Sequence, residues 1–99
     1  MSENGTSSEP YLKDPEAVLD YVINWALYLG VDTIATGAGG STWIVDEGIT
    51  KVSDSKSTTT TTIWLSGGTA NKKYRLVNRI VTAAGRTDDR SIYVRVIHR

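Results

Sequence analysis

Alternation of apolar and polar side chains is the clearest pattern in this chain, and it is most regular toward the C-terminus. From Lys73 to Thr82, Tyr74, Leu76, Asn78 and Ile80 alternate with Arg75, Val77, Arg79 and Val81. From Arg90 to Ile97, Ile92, Val94 and Val96 alternate with Tyr93 and Arg95. A period of two puts each set on one face of a pleated strand. Both segments are therefore predicted as strands, with Tyr74, Leu76, Asn78, Ile80, Ile92, Val94 and Val96 inward. Thr58 to Leu65 runs T-T-T-T-T-I-W-L. Stiff χ1 angles make such a threonine run a poor helix and a good strand with one wet face. Ile63 and Leu65 are expected inward, with Trp64 opposite them.

The earlier half is less regular. Thr42 to Val45 and Ile49 to Ser53 are predicted as strands around a turn at Asp46-Glu47-Gly48, and Val31 to Ala35 as a short strand. Thr36 to Gly40 is read as a flexible loop, and Asp54 to Ser57 as a polar turn. Ala17 to Leu29 supports two readings. Leu19, Tyr21–Val22 and Trp25–Ala26 fit a helix opening at Asp14-Pro15-Glu16. Leu19, Tyr21, Ile23 and Trp25 equally fit one face of a strand. Strand is preferred for Val18 to Trp25, because the other segments are β. Ser66 to Thr69 is a turn, and Ala83 to Asp89 a charged loop. Six or seven short strands separated by turn signals predict a sandwich or barrel.

Length and composition narrow this further. The 99 residues suit one sandwich of seven strands. Residues 11–99 are expected to form it, behind a flexible N-terminal arm at residues 1–10. The absence of cysteine excludes disulfides and Cys-ligated metals, and suits synthesis in a reducing cytoplasm. A single histidine, His98, excludes multi-histidine zinc sites and argues against Ser-His-Asp chemistry. The acidic residues match no calcium-loop spacing. No apolar run reaches the roughly 20 residues of a membrane span, and Met1 to Pro10 lacks the layout of a signal peptide. No catalytic, cofactor-binding or metal site is therefore expected.

The zero net charge conceals a split. Residues 1–56 hold three lysines and nine carboxylates, net −6; residues 57–99 hold eight cations and two carboxylates, net +6. Such a split can orient a subunit against its neighbours, including other copies in a homo-oligomeric ring. A sandwich that interleaves the halves would blur it. The pI of about 6.6 argues against a dedicated nucleic-acid binder.

The segment W-L-S-G-G-T-A-N-K-K-Y-R-L-V-N-R-I-V-T-A-A-G-R-T resembles the C-terminal half of an immunoglobulin or fibronectin III domain. Tyr74 stands where the tyrosine corner of those folds belongs. The resemblance implies an all-β, immunoglobulin-like sandwich of about seven antiparallel strands. Y-L-K-D-P-E-A-V-L-D-Y, D-T-I-A-T, S-T-W-I-V, T-T-T-T-I-W-L-S-G-G-T-A and Y-R-L-V-N-R-I-V-T-A-A-G-R-T-D-D-R-S-I-Y-V-R-V together resemble a narrower family. Its members are small tailed-phage proteins described as fibre-to-tail adaptor or neck and tail accessory proteins. This resemblance implies a non-enzymatic virion component whose partners are other tail, neck or fibre proteins. The alternative is a binding module that displays loops to a host-surface glycan or protein.

Candidate interface residues follow from chemistry. Trp64, turned away from the core, is a hot-spot candidate. Arg75 and Arg79 form a basic stripe on one strand. Arg86 and Arg90, steadied by Asp88 or Asp89, are placed to reach a partner from an exposed loop. Local pairing of the same charges is the competing reading. Asn78, among the inward residues, is read as a buried amide that ties neighbouring groups together rather than as a ligand contact.

Overall fold

The computed structural model describes residues 11–97. The expected arm, residues 1–10, lies outside the described residues, as do His98 and Arg99. Seven strands form: β1 (Tyr11–Lys13), β2 (Leu19–Asn24), β3 (Ser41–Val45), β4 (Ile49–Lys56), β5 (Thr60–Gly67), β6 (Lys73–Val81) and β7 (Thr87–Val96). They make two sheets, β1-β7-β6-β3 and β2-β5-β4, packed as a sandwich. Consecutive strands repeatedly change sheet, as an immunoglobulin-like topology requires. The strands pair antiparallel with one exception: β1 runs parallel to β7, Leu12 beside Arg95.

The alternation of the sequence builds the core. Ile63, Leu65, Leu76, Ile80, Val94 and Val96 are fully buried, and Tyr74 and Ile92 nearly so. β2 adds Tyr21 and Ile23 and leads into Trp25, whereas Leu19 at its start stays 38% exposed. The tyrosine corner forms: the Thr69 backbone N–H donates to Tyr74 Oη at 2.8 Å. The Thr69 side chain first, and then this backbone bond, hold the Tyr74 hydroxyl below the usual tyrosine pKa.

Several predicted boundaries move, each for a local reason. The ambiguous stretch divides: the strand ends at Asn24, and Ala26–Leu29 is one helical turn, α1. Asn24 Oδ1 accepts the Ala26 N–H and so opens the turn. Val31 to Ala35 is not a strand. It contributes one bridge, Ile34 to Thr82, because its donors are divided between the β4–β5 reversal and β6. Ile34 N–H bonds the Thr58 carbonyl, and Ala35 N–H bonds the Val81 carbonyl.

Asp54 to Lys56 continues β4 rather than turning. The reversal falls at Ser57, whose Oγ accepts the N–H groups of Thr59 and Thr60. The predicted loop to Asp89 closes early, as a tight turn between Thr82 and Arg86 held by Thr82 N–H to the Arg86 carbonyl. Asp88, Asp89 and Arg90 therefore lie on β7.

Candidate protein-docking faces

The strand registers sort the outward side chains into two unlike faces. On the four-stranded sheet, Lys73 lies opposite Arg95, Arg75 opposite Tyr93, Val77 opposite Ser91 and Arg79 opposite Asp89. Beyond β6, Thr42 pairs with Arg79 and Ile44 with Val77. At the other edge Leu12 adjoins Arg95. The outward strand positions thus carry four cations and one carboxylate, among apolar Leu12, Ile44, Val77 and Tyr93. On the three-stranded sheet, Asp20, Trp64 and Ser53 form one row, and Val22, Thr62 and Ser55 the next. Among the described residues, the outward strand positions of this second face hold hydroxyls, one carboxylate and no cation, with Trp64 39% exposed and Val22 46% exposed.

The cations of the first face differ in what they already hold. Arg79 makes a bidentate pair with Asp89, at 2.7 Å from Nε and 3.1 Å from Nη2. The pair pushes the Asp89 pKa down and the Arg79 pKa up. Arg75 spreads over Ser91, donating to its Oγ from Nε at 3.3 Å and Nη2 at 3.2 Å. Lys73 stands over the Tyr93 ring at 5.1 Å. Lys73, Arg75 and Arg95 make no ion pair among the described residues. Two like charges directly opposite on a ladder destabilise it, so the Lys73–Arg95 pair is a fold-level cost that an anionic neighbour would offset.

The remaining candidates lie elsewhere and are engaged within the domain. Arg86 bonds Asp32 Oδ2 and the Leu29 carbonyl and lies over the Tyr28 ring at 4.7 Å. Asp32 also accepts the Thr33 and Ala84 N–H groups. Its pKa is lowered first by the Thr82 hydroxyl, with Arg86 and these N–H groups adding to the effect. Arg90 stacks on the Trp25 ring at 4.4 Å and reaches the Asn24 carbonyl. Asp88 Oδ1 accepts the Asp89 N–H. Arg86 and Arg90 therefore brace the end of the sandwich that bears α1, and Asp88 bonds within its own strand, whereas Arg75 and Arg79 lie on the cationic face and Trp64 on the hydroxyl-rich one.

Asn78 sits at the centre of a buried network. Its Oδ1 accepts from Trp25 Nε1 at 3.0 Å and Thr61 Oγ1 at 2.6 Å, and its Nδ2 donates to Ser41 Oγ and the Thr42 carbonyl. It is the tying amide expected from its inward position, and it joins the two sheets.

Lys13 was not singled out by sequence, and its polar surroundings there gave no signal. It is fully buried, with Nζ donating to the carbonyls of Asp14 and Gly67 at 2.9 and 2.7 Å. Burial lowers its pKa, opposed by the charges of Asp14 and Glu16.

A shallow groove of about 390 Å³ is lined by Ile34, Thr36, Lys56, Ser57 and Thr58. It brings together one amine and three hydroxyls, and Lys56 Nζ is already bonded to the Gly37 carbonyl at 2.6 Å. Among the described residues, no group of three or more His, Cys, Asp or Glu side chains is placed to hold a metal ion, and no helix is long and apolar enough to cross a membrane.

Fold and surface together define an immunoglobulin-like sandwich that presents two chemically unlike faces on opposite sides. Comparison with protein families matches residues 13–95 to the family described as podophage GP4 fiber-tail adaptor protein gp77. The chain belongs to this family of phage structural proteins, as the motifs quoted above imply. Comparison with curated proteins finds no match.

Proposed function

We propose that this domain is a non-enzymatic adaptor of a tailed-phage virion, linking tail or connector subunits to fibres. The observation that carries the reading is the pair of unlike faces on a rigid block whose family is that of fibre-tail adaptors. An adaptor must hold two partners apart without confusing them, and two faces of different chemistry provide that discrimination. The hydroxyl-rich face docks one partner around Trp64, a large aromatic flanked by Asp20 and Ser53. The cationic face, with Arg75 and Arg79, docks the other. Arg86, Asp88 and Arg90 act at the α1 end, holding its shape for contact. Several copies in the neck or tail form a ring in this reading.

Lysine cross-linking of purified particles, followed by mass spectrometry, tests it. Lys72 and Lys73, at the cationic end of β6, should link to one virion protein. Lys51 and Lys56, at the β4 edge beside the Trp64 face, should link to a different one. Absence of the chain from the particles would refute the proposal, as would links from both lysine pairs to a single protein.

A further inference from the structure

We infer that the edge of β3, unpaired among the described residues, accepts an extended, acid-bearing segment of a partner protein as a fifth strand of the cationic sheet. This rests on the adaptor reading and goes beyond it, by naming an edge and a mode of attachment. Both sheets are open, so the sandwich has four edges, at β1, β3, β2 and β4. Open edges invite pairing, and folded domains ordinarily blunt them with short strands, charges or bulges.

Three of the four edges are blunted. β1 has only three residues. β4 shifts register between Lys51 and Ser53 and carries the Lys51–Asp54 ion pair. β2 bears Asp20 as its second residue and lies against β1, with the Tyr11 and Tyr21 rings 5.2 Å apart and Tyr21 Oη bonded to the Leu12 carbonyl.

β3 has none of these devices. It pairs with β6 over five residues without a register shift, and contains no charge and no proline. Four of its residues, Thr42, Trp43, Ile44 and Val45, are β-branched or aromatic. Ile44 is 65% exposed on the outer face.

The hydrogen-bond pattern shows which backbone groups are available. Asp46 N–H bonds the Arg75 carbonyl. Antiparallel alternation then directs Ile44 and Thr42 toward β6, and the N–H and C=O groups of Trp43 and Val45 toward the open side. Trp43 adds a second sign of incompleteness. Its indole N–H is buried and has no acceptor, and such a donor ordinarily has one.

Charge decides between occupants. Pairing β3 with β3 of a second copy would continue one cationic face into another, with Arg75 and Arg79 repeated across the joint. A partner strand with carboxylates on its outward positions meets the same face with opposite charge. Such strand addition gains affinity from main-chain bonds and specificity from alternate side chains.

Hydrogen exchange read by mass spectrometry, on the free protein and on purified particles, tests the inference. The Trp43 and Val45 amides should exchange freely in the isolated domain and at least about tenfold more slowly in particles. Central β6 amides such as Leu76 should be slow in both. Val45→Pro removes one outward N–H, a change that edge strands tolerate. It should leave the far-UV circular dichroism unchanged and cut incorporation into particles at least about tenfold.

Chain present in particles with unchanged Trp43 and Val45 exchange would overturn strand addition and leave the adaptor reading standing. Chain absent from particles would overturn the adaptor reading itself. Protection of the same amides in an isolated dimer would make the occupant a second copy and refute an acidic partner.

Discussion

At the scale of single residues, the fold depends on a few buried polar groups whose partners lie far away in sequence. Asn78 is the clearest. Asn78→Ala removes the acceptor shared by Trp25 and Thr61 and the donor used by Ser41 and Thr42. Stranding such groups costs about 1–3 kcal/mol each before relaxation. Urea unfolding of the variant should show a loss of at least about 2 kcal/mol with an unchanged slope. A loss within about 0.5 kcal/mol would mean the network is dispensable.

Titration has two signs in this molecule. Asp32 and Asp89 have folded pKa values below their ordinary ones. Their contribution is complete above about pH 4 and is lost as pH falls through the lowered values. Tyr21 has the opposite shift, pushed up to about 12 by burial and by Asp20. Between pH 10 and 12 the folded chain keeps a proton that the unfolded chain releases, so stability falls as pH rises through that window. Lys13 opposes this trend below about pH 10.5, because its lowered pKa makes stability rise toward that value. Denaturant midpoints should therefore decline on acidification below about pH 4, and the alkaline decline above pH 10 should be weaker in Tyr21→Phe. An identical alkaline profile in that variant would contradict the assignment.

At the scale of elements, what the sequence made legible was the inward alternation. β6 and β7 bury the side chains that a period of two selects, and Ile63, Leu65 and outward Trp64 follow the same logic. The ends of elements were less legible, because their causes are interactions between residues that periodicity does not connect. The β4–β5 reversal sits at Ser57 because a hydroxyl there captures two N–H groups. β7 begins at Thr87, and the Arg79–Asp89 pair spans the ladder that replaces part of the predicted loop. Val31 to Ala35 has strand-like residues, yet its donors are split between the β4–β5 reversal and β6. The candidate site divides in the same way. Trp64 and the Arg75–Arg79 stripe could be placed on faces from alternation alone. The attachments of Arg86 to Asp32, more than 50 residues earlier, and of Arg90 to Trp25 could not.

One element is set by backbone geometry. Gly68 has φ +97°, and a Cβ there would lie 2.6 Å from Val96 Cγ2. Gly68→Ala must strain the corner beside Tyr74 and displace the end of β7. It should destabilise the domain by about 1–3 kcal/mol, measured by thermal unfolding. An unchanged Tm would show that the corner relaxes freely.

At the scale of the whole molecule, the charge split along the chain becomes a difference between faces. The C-terminal half supplies β6 and β7 and with them the cations of the four-stranded sheet. Among the described residues, the outward positions of β2, β4 and β5 carry no cation. The interleaving of halves in a sandwich does not erase the asymmetry; it converts a sequence gradient into two opposed surfaces. A domain so built can bind unlike neighbours through surfaces that do not compete, which is the property the adaptor reading requires.

The most direct test of that account substitutes one face at a time and weighs what remains bound. Trp64→Ala and the paired change Arg75→Glu with Lys73→Glu alter opposite faces without touching the core. Purified particles carrying each variant would be analysed by quantitative mass spectrometry for the tail and fibre proteins retained. The account predicts complementary defects: one variant keeps the chain on the tail but loses fibres, and the other loses the chain and fibres together. The same outcome in both variants, with the chain retained on the tail in both or lost from it in both, would contradict it.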